Sequence, residues 1–377
     1  MASDRILTAV GLMAGTSLDG VDAALLRTDG MGITEPGPSR FSPYDRDTKV
    51  KVRRAIRAAL EGRDEAADIA DAANAVTSAH IEAVRDLLER AGLRAPDIDV
   101  VGFHGQTILH KSPVDAASPG RTWQIGSGRT LADELRIDVV EQMRRADVAA
   151  GGEGAPLLPG YHAALVTQLD RDHPVAVLNL GGVANLTFVP AAPQGPDLLA
   201  FDCGPGNGLI DEWVEARTGQ AMDEGGMLAA SGTVREDIVR LMALNPFLRR
   251  RPPKSLDRYD FKLSHAEDLS PADGAATLTA FTAECVARAV PLLPASPGEW
   301  IVCGGGRHNP VLMRQLAERL AAPVKPAEAV GWRGDDVEAQ GFAYLAVRSL
   351  KKLPITWPGT TRAPRAMTGG TYQRKPV

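Results

Sequence analysis

Residues 11–25 read GLMAGTSLDGVDAAL. The apolar run Ile6 to Met13 leads into this stretch, Ala14-Gly15-Thr16-Ser17 turns it, and Val21 to Leu26 carries it away. The pattern predicts strand, glycine-containing turn, strand. The second half opens in the same way. Val175 to Leu180 is an apolar run, Gly181-Gly182 turns, and Asn185 to Val189 returns, followed by Leu198 to Asp202 and a Gly-Pro-Gly turn.

Working outward, each opening continues as alternating helix and strand. A weaker third strand is expected near Phe41. Helical spacing covers Lys49 to Leu60 and Asp64 to Ala91, with Ile69, Ala73, Val76, Val84 and Leu87 on one stripe and Gly92 behind it. Ile98 to Phe103, Trp123 to Ile125 and Asp138 to Val140 read as strands, with a helix around Leu131. In the second half, helices are expected over Leu209 to Thr218 and Thr277 to Val290, and a strand over Glu299 to Cys303. Asn309 followed by Pro310 signals a capped helix start. A last helix is expected over Val337 to Leu350, and the Pro-, Gly- and Thr-rich tail from Pro354 reads as loop. The stretch Gly219 to Pro271 is too long for a bare loop in a compact domain and is expected to be an insertion with short helices, such as Val234 to Leu244.

The fold class expected is therefore α/β, in two similar domains facing a cleft. The first covers 1–172, completed by 338–377, and the second covers 173–337. A chain of 377 residues with 44% hydrophobic and 24% charged residues suits a globular enzyme and excludes a disordered or collagen-like chain. The net charge of −5 lacks the basic field usual in nucleic-acid binders. Cys203, Cys285 and Cys303 form neither a zinc pattern nor a disulfide framework, which points to a reducing cytoplasm. No apolar run approaches the roughly 20 residues of a membrane span, and the N-terminus is a poor signal peptide.

There is no GxxxxGK[ST] loop, no GxGxxG opening a helix, no GxSxG elbow and no HExxH. P-loop, dinucleotide-binding, hydrolase and zincin readings all weaken accordingly. What the chain has is three glycine-rich turns at strand ends: Gly15-Thr16-Ser17-Leu18-Asp19-Gly20, Gly181-Gly182 and Gly304-Gly305-Gly306. Small residues there let backbone N–H groups approach a phosphate, and Asp19 could hold Mg²⁺. Hairpins also favour Gly, Ser and Asp for purely conformational reasons. Two matched hairpins with a triple glycine in this order tip the balance towards nucleotide binding.

The three turns together resemble the phosphate-1, phosphate-2 and adenosine elements of the sugar kinase, Hsp70 and actin superfamily. The resemblance narrows with GLMAGTSLDGVDAAL, FHGQTILH, ADVAAGGEGAPLLPGYH, LNLGGVANLT, FDCGPGNGLID, PPKS, VCGGGRHNPVLM and DVEAQGFAYLA, which run from residue 11 to about 347. These strings resemble anhydro-N-acetylmuramic acid kinase.

The resemblance implies two actin-like, ribonuclease H-like domains around a nucleotide and sugar cleft. It also implies an ATP-dependent enzyme of peptidoglycan recycling, in which water opens the 1,6-anhydro ring and O6 is phosphorylated. On this resemblance Asp202 is the catalytic base. Gly15, Thr16, Ser17, Leu18, Asp19, Gly20, Val21 and Asp22 bind ATP phosphate, with Gly181, Gly182, Gly304, Gly305, Gly306 and Asn309 completing the nucleotide site. Thr107, Arg144, Gly204, Pro205, Asn207 and Glu338 fall in sugar-site segments, and Asp19 is the candidate Mg²⁺ ligand. Ala14, Cys203 and Gln142-Met143 depart from the family pattern, the last leaving the bonding around Arg144 open.

Plainer roles compete at several positions. Asp202 could serve its own turn, Glu338 has capping-box spacing to Asp335, and one of Arg144 and Arg145 could be merely solvated. The alternatives to this function are a kinase of another amino sugar and a non-catalytic nucleotide-switched actin-like protein. The expected partners are ATP and the anhydro sugar, with no nucleic acid and no membrane, in the cytoplasm; a homodimer stays open.

Overall fold

The computed structural model describes residues 5–113, 119–193, 195–256 and 261–376. Twelve strands occur among them: β1 (Leu7–Ala14), β2 (Gly20–Thr28), β3 (Ile33–Pro43), β4 (Val100–Lys111), β5 (Arg121–Ile125), β6 (Val139–Glu141), β7 (Val175–Leu180), β8 (Val183–Val189), β9 (Leu199–Pro205), β10 (Glu299–Cys303), β11 (Val324–Pro326) and β12 (Thr371–Gln373). The chain divides into two compact units, Met1–Leu165 with Asp336–Val377, and Val166–Asp335.

The first unit carries a sheet in the order β12-β6-β4-β1-β2-β3, with β5 paired to β4. The second carries β11-β10-β7-β8-β9. In each, three strands run antiparallel in succession, and the first of them pairs in parallel with a later strand. Both units thus have the ribonuclease H-like strand order of the actin-like fold.

Strand β1 is buried along almost its whole length because helices cover both faces of its sheet. On one face the helix Val337–Leu350 runs so close that a Cβ on Gly11 would stand 1.8 Å from the Ala339 carbonyl oxygen. On the other, Ile81, Val84 and Leu87 of the helix Ala67–Ala91 pack with Val10, Leu12 and Phe103. That helix ends at Gly92 in the left-handed conformation. In the second unit, Ala283 and Val286 of the helix Pro271–Ala289, with Leu312 and Leu316 of the helix Pro310–Arg319, pack with Leu178, Phe201, Trp300 and Val302 of the sheet.

Three elements differ from the sequence expectation. Strand β4 does not end at Phe103; it continues through Gly105, whose φ of +73° bends it, and its far half pairs with β5. The helix expected from Thr277 begins at Pro271, capped by Ser270, whose hydroxyl accepts from the Asp273 N–H at 3.1 Å. The C-terminal segment is not all loop. Pro358–Thr361 forms a helical turn, and β12 pairs antiparallel with β6, since its Thr-Tyr-Gln sequence can extend a sheet edge.

Candidate active site

In the first unit the turn between β1 and β2 is built around two anchors. Leu18 turns inward with φ +58° and is 5% exposed, which throws Thr16, Ser17 and Asp19 to the surface. Asp19 accepts the Ser17 hydroxyl at 2.7 Å and the Gly20 N–H at 3.0 Å on the same oxygen, Oδ1. Gln106, fully buried, donates to the Gly15 carbonyl at 3.1 Å and accepts the Tyr44 hydroxyl at 3.4 Å. Burial first, and then the Asp19 charge, push the Tyr44 phenol up, so it stays a neutral donor. Val21 and Asp22 follow within β2, where Val21 is buried and Asp22 half-buried.

Thr107 is half-buried on β4, and its hydroxyl accepts from Gln124 at 3.2 Å. Arg144 is half-buried while its neighbour Arg145 is exposed, so the inward arginine of the pair is Arg144. Its guanidinium donates to the Gly154 carbonyl at 2.8 Å and to His104 Nε2 at 3.1 Å. His104 Nδ1 lies 2.8 Å from the Gly105 carbonyl and carries the proton, leaving Nε2 as the acceptor. Burial, and then Arg144 itself, hold His104 well below the ordinary histidine pKa, which keeps it neutral. The Gln142 departure thus does not leave Arg144 without support. Glu338 lies in the first turn of Val337–Leu350 and is half-buried. The capping box with Asp335 does not form: the N-cap is Asp336, and it makes no side-chain cap bond.

In the second unit Asp202 lies on β9 with 7% exposure. Strand register places Asn185 of β8 opposite it, and the Asn185 amide donates to Oδ1 at 2.7 Å. The Leu256 N–H donates to Oδ2 at 2.7 Å, and the Asp202 N–H donates to the Lys254 carbonyl at 2.9 Å. Residues 254–256 therefore clasp both the backbone and the carboxylate of Asp202. Lys254 anchors that clasp. Its side chain is buried, with Nζ 2.9 Å from the Phe247 carbonyl and 4.5 Å from the Phe247 ring centroid. Burial lowers its pKa to about 8. Cys203 points into the core, and burial raises its thiol pKa, which removes it as a nucleophile.

The glycine turns of this unit converge. The N–H groups of Gly206 and Gly208 donate to the Gly182 carbonyl at 3.0 and 3.1 Å, and that of Asn207 to the Gly181 carbonyl at 2.7 Å. The Gly181-Gly182 turn is thereby tied to the segment Gly204, Pro205 and Asn207 that opens the helix Gly208–Thr218. Gly304, at φ +76°, packs where a Cβ would fall 2.3 Å from Asn179 Oδ1, and Gly306 approaches Asn207 and Leu180. Gly305 stands in nearly open space. Asn309 spends its side-chain oxygen on the N–H groups of Val311 and Leu312, at 3.0 and 3.1 Å, as a helix cap.

Within each unit, then, the residues singled out by the sequence gather into local groups: the turn at Gly15–Asp22, the Thr107 and Arg144 neighbourhoods, the Asp202 clasp, and the joined glycine turns.

Comparison with known proteins decides among the readings of such a fold. The family model described as anhydro-N-acetylmuramic acid kinase matches residues 7–375. The chain belongs to the anhydro-N-acetylmuramic acid kinase family. The curated anhydro-N-acetylmuramic acid kinase of Rhizorhabdus wittichii is 51% identical over 98% of this chain and 99% of its own. That of Rhodospirillum rubrum is 50% identical over 98% and 95%, and that of Nitrobacter winogradskyi 48% over 98% and 100%. Among solved structures, the (R)-2-hydroxyglutaryl-CoA dehydratase component A of Acidaminococcus fermentans aligns over 91% of this chain and 98% of its own, at 14% identity and a TM-score of 0.49.

Several residues that support these local groups were not singled out from the sequence: Gln106 and Asp147 in the first unit, and Asn185, Lys254 and Arg307 in the second. All five stand inside the strings that carry the resemblance, so position was the available signal. Asn185 alone follows from pairing register, because it faces Asp202 once β8 and β9 are aligned. No group of three or more His, Cys, Asp or Glu side chains that could hold a metal occurs among the described residues. No helix among them is long and apolar enough to cross a membrane.

Proposed function

We propose that this protein performs its family's reaction as an ATP-dependent kinase of peptidoglycan recycling. Water opens the 1,6-anhydro ring of 1,6-anhydro-N-acetylmuramic acid and O6 takes the γ-phosphoryl group, giving N-acetylmuramate 6-phosphate and ADP. The observation that carries the reading is Asp202: a buried carboxylate on β9, fixed from two sides by the Asn185 amide and the Leu256 N–H. The alternatives, a kinase of another amino sugar and a nucleotide-switched binding protein, are not favoured by relatives that all carry one name.

Asp202 acts as the general base. It takes a proton from the water that attacks the anomeric carbon, as the water-side carboxylate of an inverting glycosidase does. The C1–O6 bond breaks, and O6 attacks the γ-phosphorus rather than collecting a proton, so a second carboxylate is not required. The rest is positioning and charge neutralisation. Thr16, Ser17 and the N–H groups of Gly15–Asp22 serve the phosphates, as do Gly181 and Gly182. Gly304–Gly306 offer bare backbone to the adenosine. Arg144, a guanidinium held by two anchors, suits the substrate's lactyl carboxylate, with Thr107 and Glu338 serving the sugar.

Magnesium usually takes only one or two protein carboxylates and completes its shell with phosphate and water. The exposed carboxylate of Asp19 beside the Ser17 hydroxyl fits that requirement, and magnesium held there would offset charge on the ATP phosphates. The cytoplasm, where ATP is available, belongs to the same reading, and the three free, buried cysteines suit it.

The test is ADP release from ATP with and without 1,6-anhydro-N-acetylmuramic acid, run in ¹⁸O-water. Sugar-dependent ADP release with label on C1 of the product is the expected result. ADP release that ignores the sugar, with label in phosphate, would instead make the protein a nucleotide switch or an ATPase.

A further inference from the structure

Asp147 is a carboxylate with 2% exposure for which the reaction above has no use. A carboxylate so deeply buried is stable only when donors surround it. Its Oδ2 accepts the hydroxyls of Thr356 and Thr361, each at 2.6 Å, and its Oδ1 accepts the Gly154 N–H at 2.7 Å. The main chain closes the same loop. The Gly152 N–H donates to the Asp147 carbonyl at 2.9 Å, and the Glu153 N–H to the Thr361 carbonyl at 2.6 Å. A Cβ at Gly152 would fall 2.2 Å from Asp147 Oδ1, so the loop wraps the carboxylate only with glycine there.

Gly154 is the junction. Its N–H is committed to Asp147, and its carbonyl to Arg144 at 2.8 Å. The other end of the Arg144 guanidinium rests on the neutral, buried His104. Any shift of Asp147 therefore moves an acceptor that orients Arg144. The two threonines are themselves fixed. Both are fully buried; Thr356 pairs with Met367 through main-chain bonds of 2.9 and 3.3 Å, and Thr361 ends the turn Pro358–Thr361.

We propose that Thr356 and Thr361 are positioning residues for Arg144. Through Asp147 and Gly154 the C-terminal segment sets the guanidinium that receives the acidic group of the sugar substrate. The proposal rests on the assignment of Arg144 to the sugar site, and its test separates the two.

The double variant Thr356→Val with Thr361→Val keeps side-chain shape and removes both donors. With folding verified by circular dichroism, KM for the anhydro sugar should rise about tenfold, while KM for ATP and kcat stay within about twofold. Thr356→Ser with Thr361→Ser, which restores the hydroxyls, should return KM for the sugar to near the parent value. If the double valine variant does not fold, Thr361→Val against Thr361→Ser makes the same comparison with one donor lost. A folded valine variant with unchanged KM for the sugar overturns the proposal. So does an equal rise in KM for ATP, which would mean general loosening, or a serine variant that fails to recover. Arg144→Gln is the control. If it leaves KM for the sugar unchanged, the assignment of Arg144 fails and the proposal with it. If it raises KM while the valine variants do not, only the positioning role is lost.

Discussion

Asp335 meets Arg307 with both carboxylate oxygens, one on each terminal nitrogen, at 2.7 Å. The same guanidinium donates from Nε to Glu328 at 3.0 Å and from Nη1 to the Gly304 carbonyl at 2.9 Å. A forked, charge-assisted pair of this kind fixes orientation as well as distance. It ties two acidic side chains to the first glycine of the turn assigned to adenosine. The bonds from Arg307 also hold the Asp335 carboxyl below the usual aspartate pKa. With both oxygens spent in this way, Asp335 is not the cap of the helix that starts at Val337.

Arg307→Met should therefore loosen the triple-glycine turn without touching any sugar-site residue. KM for ATP is expected to rise about tenfold, equivalent to about 1.4 kcal/mol, with KM for the sugar unchanged. Steady-state kinetics with each substrate varied in turn checks this. An unaltered KM for ATP would detach Arg307 from nucleotide binding.

Glu338 offers a cleaner choice than its spacing suggested, because the box with Asp335 is absent and the N-cap Asp336 makes no side-chain cap bond. Glu338→Gln should raise KM for the sugar or lower kcat while leaving the melting temperature nearly unchanged. Thermal unfolding measured beside kinetics decides. A loss of roughly 0.5–2 kcal/mol in stability with intact kinetics would return Glu338 to a helix-terminal role.

The opening hairpins were legible because β1, β2, β7 and β8 are apolar runs separated by small turn residues, and Asn309-Pro310 announced a helix start that the structure bears out. Strand β3 was faint because Pro36 and Pro38 interrupt it, which an edge strand tolerates: Pro36 stays opposite Leu26, and Pro38 falls where the register with β2 shifts. The surroundings of Asp202 were hidden for a different reason. Leu256 serves it through a backbone N–H 54 residues away, and no side-chain type signals that. Asp147 finds its two hydroxyl donors more than two hundred residues further on. They lie in a tail whose Pro, Gly and Thr content reads as loop, although Thr356 and Thr361 are fully buried.

Buried histidines make the fold sensitive to mild acid. His80 is fully buried, with Nδ1 2.7 Å from the Val76 carbonyl and its ring edge-on to Phe103 at 4.9 Å, and burial lowers its pKa to about 4. Burial does the same to His162. The unfolded chain, with histidines near 6.5, binds protons that the folded chain refuses. Stability is thus complete above about pH 6.5 and is lost as the pH falls towards 4, by up to about 1.4 kcal/mol per pH unit for each such histidine. Urea unfolding between pH 7 and 5 should show this slope, and His80→Gln should flatten it by one histidine's share. An identical slope in the variant would mean that His80 is protonated in the folded state too.

Asp202→Asn removes the charge and keeps the shape. The Asn185 amide and the Leu256 N–H, both donors, now face a side chain with one oxygen and one NH₂, so one of the two bonds is lost. The fold should survive, since the clasp through the Lys254 carbonyl uses only the backbone of residue 202. ATP and sugar should still bind, because the turn Gly15–Asp22 and Thr107 are untouched, and calorimetry with each ligand checks that. Turnover should drop by roughly 10²–10⁴, the usual worth of a positioned general base. The residual product made in ¹⁸O-water should still carry its label on C1, because the variant slows the attack of water without redirecting it. If the Asn variant turned over at the parent rate, Asp202 would cease to be the base while sugar phosphorylation stood. If the variant bound neither ligand, Asp202 would be a determinant of structure rather than of proton transfer.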